Sequence, residues 1–199
     1  MITENVHDEL IRYFSTRISL NENEIYLIKN SYELKFLKKK EFLFSQGEIC
    51  KTEAFVIDGS AKVFYSDEKG NDHILYFAFK DWWMGDIASF NYGERAIMSA
   101  QALEDLTVLV VNPERKEELF IKVPKLERIF RIITQRTLTV LQKRFFLTMS
   151  GSAKDRYLQL IERYPKIEQL VPQYQIASYL GILPESLSRM KKQLYAQHF

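Results

Sequence analysis

Pro172-Gln173-Tyr174-Gln175-Ile176-Ala177-Ser178-Tyr179-Leu180-Gly181-Ile182-Leu183-Pro184-Glu185-Ser186-Leu187-Ser188-Arg189-Met190-Lys191-Lys192 decides how this chain reads. Its spacing predicts two short helices joined by a glycine turn, the helix-turn-helix arrangement. Ala177 is a small residue where two helices would cross closely. Gly181 follows four residues later, where the turn needs a positive φ. Ile176, Leu180, Ile182, Leu187 and Met190 then share one apolar interior, and Glu185, Ser186, Arg189 and Lys192 stay on the open face of the second helix. Pro184 suits the first turn, because its missing N–H would be unpaired there. Leu183 takes the N-cap position, where the lack of a Ser or Thr costs roughly 1 kcal/mol.

Amphipathic hairpins with a glycine turn are common, and most bind nothing. Charge adds weight to a nucleic-acid reading. The chain carries 28 Lys and Arg against 26 Asp and Glu, but unevenly. Residues 125–199 hold 13 basic and 5 acidic side chains, while residues 1–124 hold 15 and 21. A basic C-terminal part suits a phosphate backbone, although long helices also carry solvated basic faces.

The 199 residues allow one large or two modest domains, and 46% hydrophobic content supports a packed core. No apolar run is long enough to span a bilayer, the N-terminus does not read as a signal peptide, and no membrane association is expected. Cys50 is the single cysteine, which excludes an internal disulfide and a four-cysteine zinc or iron–sulfur site, and fits a cytoplasmic protein.

From about Glu4 to Leu37 the spacing is helical, with a capped helix start at Ser19-Leu20-Asn21-Glu22-Asn23-Glu24. From Lys40 short apolar runs alternate with turns. Phe42-Leu43-Phe44 precedes Gln46-Gly47-Glu48, and Ala54 to Ile57 meets Asp58-Gly59, a hairpin signal. Ala61 to Tyr65 leads into a turn at Asp67 to Asn71, followed by strands at Ile74 to Phe79 and Thr107 to Val111. Such spacing predicts a compact β-barrel or jelly roll. After Pro124, Leu126, Ile129, Phe130, Ile133, Val140, Leu141, Phe145 and Met149 recur at three and four. The stripe spans about 25 residues, on the order of 37 Å. A helix this long packs on its own domain or pairs with a copy of itself. Gly151-Ser152-Ala153 ends it, and Lys154 to Tyr164 forms a further helix closed by Pro165.

This order of parts resembles the family of the cyclic AMP receptor protein and the fumarate–nitrate regulators, the Crp/Fnr type, over nearly the whole chain. Gln46-Gly47-Glu48 looks like its early glycine turn, and Phe55 to Val63 like its apolar hairpin. Gly85-Asp86-Ile87 sits where the family begins its phosphate-binding cassette. Ile176 to Gly181 with Glu185 to Arg189 looks like its DNA-reading unit. The resemblance implies an α+β fold: a cyclic nucleotide-binding-like β-roll with N-terminal helices over 1–123, a long dimerisation helix over 124–150, and a helix-turn-helix domain over 151–199. The chain ends at Phe199, so the hairpin wing found in many relatives is expected to be absent.

The ligand site implied by the resemblance carries over poorly. Asp86 stands where cyclic nucleotide-binding members have a glutamate, and is one methylene shorter. Arg95 lies at about the right distance for the phosphate arginine, but Ala96 follows where a small hydroxyl residue is expected. Leu141 and Gln142 replace the hydroxyls that would touch the base. Gly85, Asp86, Ile87, Arg95, Ala96, Leu141 and Gln142 are thus the candidate ligand residues. Cyclic AMP is a doubtful cofactor for them, Asp86 and Arg95 read equally as a surface ion pair, and the effector is unnamed. For haem, His73 and Cys50 are the candidate ligands, although a lone His in a turn is usually solvated. Tyr76, Phe77, Phe79, Trp82 and Trp83 read as roll core rather than a ligand cage.

The resulting expectation is a homodimeric transcription regulator, with double-stranded DNA and RNA polymerase as partners. Glu185 would accept from a cytosine amine, and Arg189 would grip guanine O6 and N7 for roughly 1–3 kcal/mol of discrimination. Ser186 is short enough for a base edge or a phosphate. Gln173, Tyr174, Ser188 and Lys192 are placed for phosphates, and Pro184 starts the helix that carries the readers. The alternative is a ligand- or partner-binding module without DNA binding. An enzyme is not expected: GxxxxGK[ST], HExxH and GxSxG are absent, and His7, His73 and His198 lie far apart.

Overall fold

The computed structural model describes residues 2–196; His198 and the chain end at Phe199 lie outside them. Two helices open the chain, α1 (Ile2–Ser15) and α2 (Glu22–Ser31). Asn21 caps α2 through a capping box with Glu24, as the spacing of those two residues predicts. Strands β1 (Glu33–Leu37), β2 (Phe42–Phe44), β3 (Glu53–Asp58), β4 (Ala61–Ser66), β5 (Asp72–Ala78) and β6 (Trp83–Met84) follow. A short helix α3 (Ile87–Tyr92) separates them from β7 (Ser99–Ala102) and β8 (Leu106–Val111). Six helices complete the described residues: α4 (Pro113–Lys122), α5 (Lys125–Ser150), α6 (Ala153–Arg163), α7 (Ile167–Leu170), α8 (Gln173–Leu180) and α9 (Pro184–Ala196).

The strands form two antiparallel four-stranded sheets, in the orders β1-β8-β3-β6 and β2-β7-β4-β5. Two sequence expectations need correction here. Glu33 to Leu37, expected to be helical, is a strand, because β8 draws it into register opposite Val110 to Leu106. Asp58-Gly59 is not a hairpin turn. β3 and β4 lie in different sheets, and Gly59 turns the chain from one to the other. Gly59 has φ +85°, and a Cβ there would come within 2.4 Å of the Asp105 carbonyl oxygen, so only glycine fits. The hairpin of this region is β4–β5, whose turn closes through Asp67 N–H to Asn71 O and Gly70 N–H to Asp67 O.

Alternation along the strands sorts side chains into separate cores. Ala54 and Val56 of β3, with Val108 and Val110 of β8, point between the sheets. Phe55, Ile57, Leu109 and Val111 point outward, where Leu10, Phe14, Ile28, Leu119, Leu126 and Ile129 of the helices cover them. Helix α4 does not stand out from its surroundings in the sequence pattern; Asn112 caps it and Pro113 starts it.

A third core decides where the C-terminal helices sit. Phe64 of β4 and Ile74 and Phe77 of β5 pack against Tyr157, Leu160, Ile167, Val171, Ile176 and Leu180. Fully burying each large apolar side chain contributes about 1.5–3 kcal/mol. The helical C-terminal part is therefore seated on the outer face of the second sheet.

Candidate nucleic-acid interface and junction cavity

Helices α8 and α9 make the helix-turn-helix. Gly181 adopts the left-handed conformation at φ +67°, and the Ile182 N–H reaches back to the Ala177 carbonyl at 3.0 Å. Ile176, Ala177, Leu180 and Leu187 are buried, with Ile182 and Met190 half-buried beside them. Leu183 is the residue before α9, and its carbonyl accepts the Leu187 N–H at 3.1 Å. Pro184, Glu185, Ser188, Arg189 and Lys192 are exposed, and Ser186 is half-buried. Gln173 and Tyr174, at the start of α8, are exposed as well. Lys191, in contrast, is tied to Glu168 of α7 by an ion pair. Arg156 of α6 donates to the Leu180 and Gly151 carbonyls, each at 3.0 Å, fixing the turn against the end of α5.

The unit is joined to the roll by polar contacts along one edge of β5. The Ser178 hydroxyl donates to the Asp72 carbonyl at 2.6 Å and accepts the Ile74 N–H at 3.2 Å. Arg144 of α5 donates to the Leu75 carbonyl, to Ile74 O at 3.1 Å and to Tyr179 O at 2.9 Å. Its guanidinium lies 4.1 Å from the centre of the Tyr179 ring. No carboxylate pairs with it among the described residues, and burial pulls its pKa below the usual guanidinium value.

Behind this edge lies a cavity of about 430 Å³ between roll, long helix and C-terminal helices. Tyr76, Trp82 and Met98 line it from the roll, Ile133 and Leu141 from α5, and Tyr164 follows α6. Trp82 stacks on Tyr76 at 6.2 Å and contacts Tyr164 at 5.7 Å. The aromatic residues read as simple core are thus in part cavity wall: Trp82 and Trp83 are half-buried and line it. Burial pushes the Tyr76 and Tyr164 phenols up, so both are neutral donors over the physiological range.

Residues 34–122 match the family model of the cyclic nucleotide-binding domain. The chain is 28% identical to the transcriptional activator protein Anr of Pseudomonas protegens, an alignment covering 77% of this chain and 67% of that protein. It is equally similar to the transcriptional activator protein FnrA of Stutzerimonas stutzeri. Among solved structures, a Crp/Fnr-family regulator from Eubacterium rectale superposes with a TM-score of 0.72 at 16% identity, covering 94% of this chain and 88% of that one. The c-di-GMP-responsive regulator CLP of Xanthomonas campestris gives 0.71 at 16% identity, covering 89% and 93%. The chain thus carries a stretch similar to the cyclic nucleotide-binding domain and shares the fold of Crp/Fnr-type regulators.

The ligand residues that the resemblance suggests are brought together only in part. Gly85, Asp86, Ile87 and Leu141 line the cavity, whereas Arg95, Ala96 and Gln142 do not. Asp86 is only 2% exposed. One of its oxygens caps α3 by accepting the Ser89 N–H at 3.1 Å, and the other accepts the Ile97 N–H at 2.9 Å. Arg95 instead donates to the Gly47 carbonyl at 2.7 Å on the surface, so the expected Asp86–Arg95 ion pair does not form. Ala96 is buried in the core between the sheets, and Gln142 faces outward.

The polar groups that do reach the cavity were missed by sequence reasoning. Thr137 presents a hydroxyl one turn before Leu141, and Arg136, Arg144 and Arg163 bring guanidinium groups. Their signal was legible. Ile133, Arg136, Thr137, Val140 and Arg144 fall on one face at helical spacing, so polar residues interrupt an otherwise apolar stripe.

The haem candidates fare no better. His73 lies in the exposed end of the β4–β5 hairpin, 3.0 Å from Asp67, and Cys50 is buried, its thiol raised by burial. Among the described residues no cluster of three or more His, Cys, Asp or Glu is arranged to hold a metal ion. Nor is any described helix long and apolar enough to cross a membrane.

Proposed function

We propose that the chain is a sequence-specific DNA-binding transcription regulator that works as a homodimer. The single observation that carries this reading is the two-sided character of α9: Leu187 is buried while Glu185, Ser188, Arg189 and Lys192 stand free on the opposite side. That division suits a helix lying in a major groove, with Arg189 and Glu185 reading base edges, and Ser186 at an edge or a phosphate. Gln173, Tyr174, Ser188 and Lys192 hold phosphates, with Pro184 at the head of the helix.

The named relatives are transcriptional activators, which favours the same role here and makes RNA polymerase a partner. For dimerisation the support is α5. Leu138, Phe145, Phe146 and Met149 are exposed along its outer side, and Met149 is 73% exposed. An apolar strip of that kind on a long helix is covered by a copy of itself. Two reading helices would then meet half-sites about one DNA turn apart.

The deciding experiment is selection of randomised duplex DNA by the purified protein without added ligand, followed by sequencing. Enrichment of a two-fold symmetric site is the expected result. No enrichment, together with salt-insensitive behaviour on DNA columns, would replace this reading with a DNA-blind regulatory module.

A further inference from the structure

A second, smaller cavity of about 220 Å³ adjoins the junction cavity on its C-terminal side. The two share Val140, Arg144, Arg163 and Tyr179 in their walls. Their characters differ. The larger is walled mainly by aromatic and aliphatic side chains. The smaller is walled by Lys143, Arg144, Arg156 and Arg163 and by no carboxylate. Cationic groups gathered without counter-charge repel one another, and an anion seated among them relieves that repulsion.

Three of these cations are already partly committed, which fixes their positions. Arg144 and Arg156 hold backbone carbonyls, and Arg163 lies over the Trp82 and Tyr164 rings at 5.1 and 5.3 Å. Among the described residues the Lys143 ammonium has neither a hydrogen bond nor an ion pair. A guanidinium with five N–H groups retains donors after two or three carbonyl contacts. The basic chamber is thus a preformed set of donors beside an apolar chamber large enough for a ring system.

We infer that the two chambers together bind an amphipathic small-molecule anion. Its aromatic or aliphatic body lies against Trp82, Tyr76, Met98 and Leu141, and its phosphate, sulfonate or carboxylate head lies among Lys143, Arg156 and Arg163. The head is therefore at the α5–α6 side, away from the surface loop that holds Arg95. Binding itself is independent of DNA recognition; its regulatory consequence rests on the function proposed above. The anion meets Arg144, which also carries the Ile74, Leu75 and Tyr179 carbonyls, so occupancy acts on the tie between the roll and α8.

The test is calorimetric titration of the full chain with 1-naphthyl phosphate, beside 1-naphthol and inorganic phosphate as its separate halves. One site per chain is expected, with each half at least tenfold weaker. Lys143→Gln, at an exposed side chain, should weaken 1-naphthyl phosphate at least fivefold. Ala88→Phe, which fills the apolar chamber from α3, should abolish the heat of binding. Both variants should keep the parental circular dichroism melt. Absence of binding to the parent overturns the inference, as does affinity no better than that of either half. So does loss of binding in Arg95→Gln with full retention in Lys143→Gln, which would put the anion at the Arg95 loop.

Discussion

The Ser178 hydroxyl stands 2.6 Å from the Asp72 carbonyl, joining a residue inside the helix-turn-helix to the first residue of β5. The same oxygen accepts the Ile74 N–H, so one side chain satisfies a donor and an acceptor of a strand edge. The C-terminal unit is in this way registered on the sheet, in addition to being seated on Phe64, Ile74 and Phe77.

Replacing Ser178 by Ala removes both bonds and leaves the Ile74 N–H without its partner. A loss of about 1–2 kcal/mol is expected. At roughly 2–4 °C per kcal/mol for a chain of this size, the first calorimetric transition should fall by several degrees. An unchanged melt would mean that the apolar contacts alone hold the unit in place.

Asp86 gives a second prediction, and it separates this chain from cyclic nucleotide binders. Both carboxylate oxygens are engaged by backbone N–H groups and the side chain is buried, so it is held as a cap rather than presented to a ribose hydroxyl. Asp86→Ala leaves two N–H groups unpaired in and near the core, at a cost of about 2–4 kcal/mol. Asp86→Asn retains one acceptor and should lose less. A ligand at 100 times its Kd stabilises by about 2.7 kcal/mol. Millimolar cyclic AMP is expected to give no thermal shift, and a shift of several degrees would sink the assignment of Asp86 as a purely structural cap.

The pH dependence follows from Asp67. The His73 ring beside it, then the Asn71 N–H and amide, hold its carboxyl well below the usual carboxylate range. A group whose pKa is lower in the folded chain stabilises above its unfolded pKa and loses that contribution as pH falls through the folded one. Stability should therefore decline below about pH 4, and Asp67→Asn should flatten that decline in an acid titration followed by circular dichroism. An identical acid profile in the variant would show that other carboxylates carry it.

What was legible in the sequence divides along a physical line. Local chemistry announced itself. The Gly181 turn, the capped start at Asn21 and the apolar interior of α8 and α9 depend on neighbours a few residues away. Sheet membership did not, because β1 is fixed by β8 some seventy residues later. Asp58-Gly59 carries a hairpin composition, yet the positive φ it supplies serves a corner between sheets. The pairing of Asp86 with Arg95 was not legible for the same reason. Asp86 and Arg95 are close in sequence, but backbone N–H groups and a carbonyl from other turns claimed them first. Arg144 and Arg163 could be placed on helix faces, but not brought to the same junction without the third core.

Helix α5 predicts the assembly. Phe145 and Met149 are four residues apart on one side and exposed, so a pair of charges there should be fatal to self-association. Sedimentation equilibrium is expected to give a dimer for the parent and a monomer for Phe145→Glu with Met149→Glu. The roll cores do not involve either residue, and the near-ultraviolet spectrum of the roll tryptophans should be retained. A parental monomer, or a dimer in the doubly substituted chain, would remove α5 as the interface.

The reading helix makes the sharpest demand, because its exposed residues are asked to do different things. Arg189, with five donors in a planar fork, should discriminate a guanine, and Arg189→Ala should cost about 1–3 kcal/mol at one position per half-site while relaxing preference there. Lys192 is a point charge further along α9. Lys192→Ala should weaken all sequences alike and lower the slope of log K against log salt by about 1 for each phosphate that the lysine no longer neutralises. Both side chains are exposed, so neither change should alter folding. Competition binding on the selected site and its single-base variants, at several salt concentrations, separates the two effects. If Arg189→Ala keeps the parental base preference and changes only the salt slope, Arg189 holds a phosphate, and the base-reading role passes to Glu185 and Ser186 at the N-terminal end of α9.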